Sequence, residues 1–199
     1  MPLLVPPAPA PALRSVLTAL GSPTAVREDR TPALRVLPGP FTAEAPLPVH
    51  ILGGIGQPAA APLSRLAGWR FLIRCGGRSV AVAEARVTAD GWAFSRFSEG
   101  PYVKSTEQAL TQAESLPTAY QPRLLSVPEL YMLTLWLHGD TTADPATGGP
   151  AAGDLLVPLA PAPPGIAAYR PYRAADLLPV LRVRLTPRQL SGPLLGSPA

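Results

Sequence analysis

The sequence predicts an α+β fold: an antiparallel sheet of four to five strands, one main helix packed on it, and proline-rich arms at both ends. Three observations lead there. Two dipeptides, Gly76-Gly77 and Asp90-Gly91, interrupt apolar runs and read as two-residue hairpin loops. The segment that follows them, STEQALTQAESL, has the apolar spacing of a helix with one buried face. Finally, the chain holds 28 prolines in 199 residues, far above the usual share of about 5%. With 47% hydrophobic and 15% charged residues there is apolar content enough for one core, so the prolines belong to connections and arms, where a missing amide donor is harmless.

Residues 1–12 alternate proline with small apolar residues and predict an extended, polyproline-like arm before a single domain over 13–185. Residues 13–20, LRSVLTAL, place Leu13, Val16, Leu17 and Leu20 at helical spacing, with Gly21 as the stop. The next segment, PGPFTAEAPLPVHILGG, is too rich in proline for a helix and predicts irregular chain with an extended piece near 47–52.

The two turns then fix three strands, about 69–75, 78–89 and 92–98. Strict alternation pairs Ile73 with Val80 and Phe71 with Val82, and puts Trp69, Phe71, Ile73, Val80, Val82 and Phe97 on one face. Arg70, Leu72, Arg74, Ala81, Ala83, Ala85, Val87, Phe94 and Arg96 fall on the other. A row of alanines leaves a shallow trough that a helix can approach closely. The helix expected to fill it is the next one, capped by Ser105 or Thr106, through Ala109, Leu110, Ala113 and Leu116. The rim arginines keep their charges in water.

In YQPRLLSVPELYMLTLWLHGD the run from Leu130 to His138 is apolar on every side and predicts a long buried strand with a proline bulge near 128, although Ser126, Pro128 and Glu129, with Gly139 after, also resemble a capped helix. DLLVPLAP predicts a short strand partner for it, across a Gly/Pro/Thr-rich loop, 139–153. Beyond residue 160 one helical turn is expected after Arg173, then VLRVRLT as an edge strand, with 186–199 as a tail. The order of elements is loosely like small scaffold folds such as the cystatin-like one.

The chemistry-bearing residues are few. His50, His138 and Cys75 have no pairing motif, and His138 with Asp140 supplies at most two metal ligands, so no cofactor or metal is expected. Gly54-Ile55-Gly56 has Ala59 where a dinucleotide-binding loop needs its third glycine, and Pro58 and Pro62 obstruct the helix such a loop needs. Glu84, the one acid in the meander, is expected opposite Phe97 in an exposed ion pair with Arg86, and Arg86 opposite Ser95.

The net charge is +4, carried by sixteen arginines and one lysine. Arginine suits planar contacts to carboxylates and phosphates, but with abundant alanine, proline and glycine the bias looks like the codon usage of a high-GC bacterial genome. The candidate interaction surface is Arg70, Arg74, Arg96, Lys104, Arg182 and Arg184.

A lone cysteine, no cationic signal start and no apolar run of about 18 residues predict a cytoplasmic setting without a membrane span. The expected function is non-enzymatic: a subunit or adaptor of a larger bacterial assembly, bound to other protein subunits through its proline-rich arms. Two alternatives compete. Arg70, Arg74, Arg96 and Lys104 interleaved with Trp92 and Phe94 could stack single-stranded nucleic acid, and a small hydrolase could use His50 or His138.

Overall fold

A computed structural model describes residues 3–26, 31–53 and 63–186. Eight strands form one open mixed sheet: β1 (Thr42–Gly53), β2 (Leu63–Cys75), β3 (Arg78–Thr88), β4 (Gly91–Ser98), β5 (Gln121–Val127), β6 (Met132–His138), β7 (Leu155–Pro158) and β8 (Tyr172–Arg173). Their order is β4-β3-β2-β1-β5-β6-β7-β8. All neighbours are antiparallel except β1 and β5, which run parallel over Val49–Ile51. Five helices accompany the strands among the described residues: α1 (Ala10–Leu20), α2 (Pro23–Val26), α3 (Pro32–Val36), α4 (Pro101–Glu114) and α5 (Ala174–Leu185).

The fold is therefore α+β, but the expected four to five antiparallel strands with one main helix, and the cystatin-like alternative, are overturned by an eight-stranded mixed sheet with helices on both faces. Proline misled the reading of β1. Pro46 falls in the register shift between Glu44 and Leu47, and Pro48 lies before the stretch that pairs with β5, so neither breaks that ladder. The long strand expected across Pro128 is instead a hairpin. A 3-10 turn, Pro128–Leu130, and a left-handed Tyr131 (φ 50°) separate β5 from β6. The short partner of β6 is β7.

Gly76-Gly77 connects β2 and β3 as expected, Cys75 opposing Arg78, whereas the second turn is Ala89-Asp90, one residue before the expected Asp90-Gly91, with Thr88 opposing Gly91 at the start of β4. A bulge between Ile73 and Arg74 nevertheless shifts the register by one residue. Ile73 meets Ala81, Phe71 meets Ala83, and Leu72 meets Val82. The alanines thus join Trp69, Phe71, Ile73 and Phe97 on one face, where α1 lies against them through Ala12, Val16 and Ala19. Small side chains on both surfaces permit the close approach. The helix expected in the trough, α4, packs on the opposite face, with Val103, Ala109, Leu110 and Ala113 over Leu47, Leu72, Val82, Leu124 and Leu135.

Ser105 and Thr106 are not caps. Gly100 precedes α4, Pro101 opens it, and the two hydroxyls are buried, Ser105 accepting from the Ala160 amide and Thr106 donating to the Tyr102 carbonyl. The expected edge strand at 180–186 is also helix. Ala174, Leu177 and Leu181 recur at helical spacing and pack with Trp136, Leu125, Val127 and Leu52 on the α1 side of the sheet, at its other end. Alternation in VLRVRL imitated a strand because Leu181 and Leu185 also lie one turn apart on one helical face.

The amino-terminal segment is strapped to the body: the Leu4 amide donates to the Tyr120 carbonyl at 2.9 Å, Pro6 is buried, and residues 10–12 already belong to α1. Residues 54–62, with the glycine loop discussed above, and 187–199 of the tail lie outside the described residues. No helix among the described residues is long and apolar enough to cross a membrane.

Candidate functional site

Two groups of polar side chains stand out, and hydrogen bonding separates them by role. The first is buried under the loop between β6 and β7. Arg123, fully buried on β5, donates from Nε to Gln121 Oε1 (2.7 Å) and from its terminal nitrogens to the carbonyls of Thr147 (2.8 Å) and Asp144 (3.1 Å). Its guanidinium lies 4.8 Å from the ring centroid of Trp136. Gln121 reaches the Ala143 carbonyl, and His50 Nε2 donates to that of Pro145 at 2.9 Å. Asp154 accepts from Trp136 Nε1, from the Gly139 and Ala151 amides, and pairs with His138 Nδ1 at 2.8 Å.

Every polar group here holds the loop, which explains both histidines. Burial lowers the His50 pKa and keeps the ring neutral, against the Pro145 hydrogen bond, which favours the charged form. Ser64 Oγ is 3.4 Å from His50 Nδ1 and donates to the Gly148 carbonyl. The other ring nitrogen faces a carbonyl rather than a carboxylate, and the ring has no exposed surface, so no Ser-His-Asp relay is built. Asp140 turns to the Thr142 amide and hydroxyl instead of joining His138. Cys75 lies nine residues along β2 from Leu66, the partner of His50, a distance of about 30 Å. Among the described residues no three His, Cys, Asp or Glu side chains gather as for a metal.

The second group lies on the α4 face, on a part of the sheet that α4 leaves bare. Arg70, Glu84 and Arg96 are neighbours across β2, β3 and β4. Arg70 donates to Glu84 Oε1 at 2.6 Å, Arg96 Nε donates to Oε2 at 3.0 Å, and Arg86 stands 3.6 Å from Oε2. Glu84 is not the exposed partner expected. It is 7% exposed and sits opposite Arg96, not Phe97: the turn at Ala89-Asp90 sets Arg86 opposite Ala93 rather than Ser95, and a second bulge between Glu84 and Ala85 then shifts the pairing by one residue. Burial works against ionisation of Glu84, but Arg70, then Arg96, outweigh it and hold the carboxyl below its ordinary value.

These side chains border a cavity of about 130 Å3 whose other walls include Val49, Ile51 and Ser126. Gly68 also borders it, and glycine is required there because a Cβ would collide with the Ala85 carbonyl oxygen of β3. Arg70 and Arg96 also border a second concavity beside Gly100 and Pro101, where α4 begins with no acidic residue in its first turn.

The six residues of the expected surface do not converge. Arg70 and Arg96 come together here. Arg74 is at the other end of β2 with Glu44 (3.2 Å) and Glu107 (3.6 Å), Lys104 is exposed on α4, and Arg182 and Arg184 are on α5. The basic aromatic platform is not assembled either. The bulge in β4 turns Trp92 and Phe94 toward α1 with Phe97, away from Arg70 and Arg96.

The expected ion pair of Arg86 with Glu84 is present, at 3.6 Å, while sequence reasoning missed Gly68 and Ser126, and Arg86 as part of the same recess as Arg70 and Arg96. Compared with protein-family models, curated proteins and solved structures, the chain matches none of them.

Proposed function

We propose that the protein is a non-enzymatic interaction protein, a subunit or adaptor of a larger bacterial cytoplasmic assembly, and that the arginine recess is where another protein subunit docks. One observation carries this reading: three arginines converge on a single carboxylate over bare sheet, while the histidines and Asp154 are held in hydrogen bonds that fix a loop. Residues 3–9 of the amino-terminal arm are engaged with the chain's own body, which favours the recess over that arm as the docking element.

The test pairs light scattering of the purified protein with chemical cross-linking in its native host. A defined cross-linked complex, reduced when Arg96 is replaced by Glu, is the expected result. A lone monomer in both measurements would overturn the proposal.

A further inference from the structure

We infer that the recess binds a carboxylate carried on a short apolar chain. The inference rests on reading the recess as a docking site and names the chemistry it selects. Two halves of the cavity set the requirement. On one side stand Arg70, Arg86 and Arg96, three cations against the one charge of Glu84. Among the described residues the hydrogen bonds of Arg96 stop at Nε, Arg86 makes an ion contact without a hydrogen bond, and Arg70 Nε is buried without a partner. Glu84 itself demonstrates the recognition, since Arg70 and Arg96 approach its two oxygens separately.

On the other side Val49 and Ile51, both half-buried, offer apolar surface with no charge. A monoanion with a few methylene or methyl groups fills both halves. Inorganic phosphate would answer the arginines but leave Val49 and Ile51 against water, and its second charge would lie near Glu84. The recess is small, about 130 Å3, which suits a short acid or one terminal residue of a peptide.

Those two sources are distinguished by titrating the full-length protein, followed by methyl and arginine Nε–H NMR, with butyrate and with acetyl-leucine, against acetyl-leucinamide and inorganic phosphate. Saturable shifts at Val49, Ile51 and Arg96 with the two acids, and none with the amide, are expected. Tighter butyrate points to a free acid, and tighter acetyl-leucine to a chain terminus.

Arg86→Gln and Arg96→Gln, both half-exposed and checked for unchanged circular dichroism, should each weaken binding about tenfold, the loss of one charged hydrogen-bond partner. The inference is overturned if neither acid saturates by ~50 mM, a threshold well above the millimolar Kd that a marginal site would show. Equal binding of the amide, or tighter phosphate, would also overturn it. Failure here with the cross-linked complex intact removes the carboxylate and leaves the docking proposal standing. Saturable binding without any cross-linked complex does the reverse.

Discussion

Replacing Arg123 with Met tests whether a buried cation organises the loop 139–153. Three acceptors lose their donor: Gln121 Oε1 and the carbonyls of Asp144 and Thr147. At about 1 kcal/mol for each neutralised acceptor that can still find water by loosening the loop, the cost is about 3 kcal/mol. Loss of the stacked charge over Trp136 adds about 1 kcal/mol, and Met relieves a burial cost of similar size, since among the described residues no carboxylate hydrogen-bonds to the guanidinium. Burial accordingly lowers the Arg123 pKa, with Asp154, Asp144 and Asp140 opposing it from a distance.

Urea denaturation should show the loss of about 3 kcal/mol, and thermal melting a fall of roughly 6–12 °C. Hydrogen exchange should rise at the Ala143, Ala146 and Thr147 amides, which bond within the loop. Arg123→Lys keeps the charge and recovers one or two carbonyls, so it should fall between. A Met variant within about 0.5 kcal/mol of the parent, with those amides still protected, would refute the account.

Ala83→Leu should destabilise by about 2–3 kcal/mol, because Ala83 has no exposed surface and α1 leaves no room for larger side chains; an unchanged denaturation midpoint would show that α1 is free to move. Thr134→Val should raise stability by about 1 kcal/mol, since the buried Oγ1 of Thr134 has no hydrogen-bond partner among the described residues; a lower midpoint would contradict that. Glu84, whose carboxyl titrates below its unfolded value, adds stability that is present above about pH 4.3 and lost as pH falls through its lowered folded value. Glu84→Gln should remove that acid-limb dependence and cost about 2 kcal/mol at neutral pH, and a variant with an unaltered acid limb would refute the assignment. His50, lowered by burial, loses its contribution earlier, as pH falls from about 6.5 through its folded value.

Local turn chemistry was legible in the sequence, and long-range consequences were not. Gly76 (57°) and Gly77 (79°) form the first turn with the positive φ that such a loop requires, and Gly91 (108°) sits just past the second turn, Ala89-Asp90, one residue from the expected place. A bulge carries no comparable signature. One extra residue at Val80 exchanged the faces of β3, and another at Ser95 left Trp92 and Phe94 on the face of Phe97 while Arg96 stayed with Arg70, so correct strands gave an incorrect surface. The alanine trough was sound in physics, yet register gave it to α1 instead of α4. At the candidate site Arg70 and Arg96 were readable as basic positions and Arg86 as the ion-pair partner of Glu84, whereas Arg70 came opposite Glu84 through the first bulge and Arg96 through the second. Nothing local marks β1 as the strand where two antiparallel halves join in parallel, because that pairing rests on three residues of β5, 75 positions away.

The recess follows from a mismatch of sizes. A helix of 14 residues such as α4 spans about 21 Å, while eight strands spaced about 4.8 Å apart extend some 34 Å across and β2 alone is longer still. The α1 side divides that area between α1 and α5, each with its own apolar cluster. On the α4 side one helix covers Leu72 and Val82, and one alternation further along β2 and β3 the side chains become Arg70 and Glu84. Apolar residues at those positions would expose a continuous patch to water. Charged ones solve that problem, but an arginine pair with a single buried carboxylate leaves guanidinium donors beside Gly68, and a surface that only needed to be wet has no use for such an excess. On the proposed reading, binding is the reason for the imbalance, and Arg96→Gln distinguishes it from solubility, since a purely solvating arginine can be neutralised without altering any carboxylate titration.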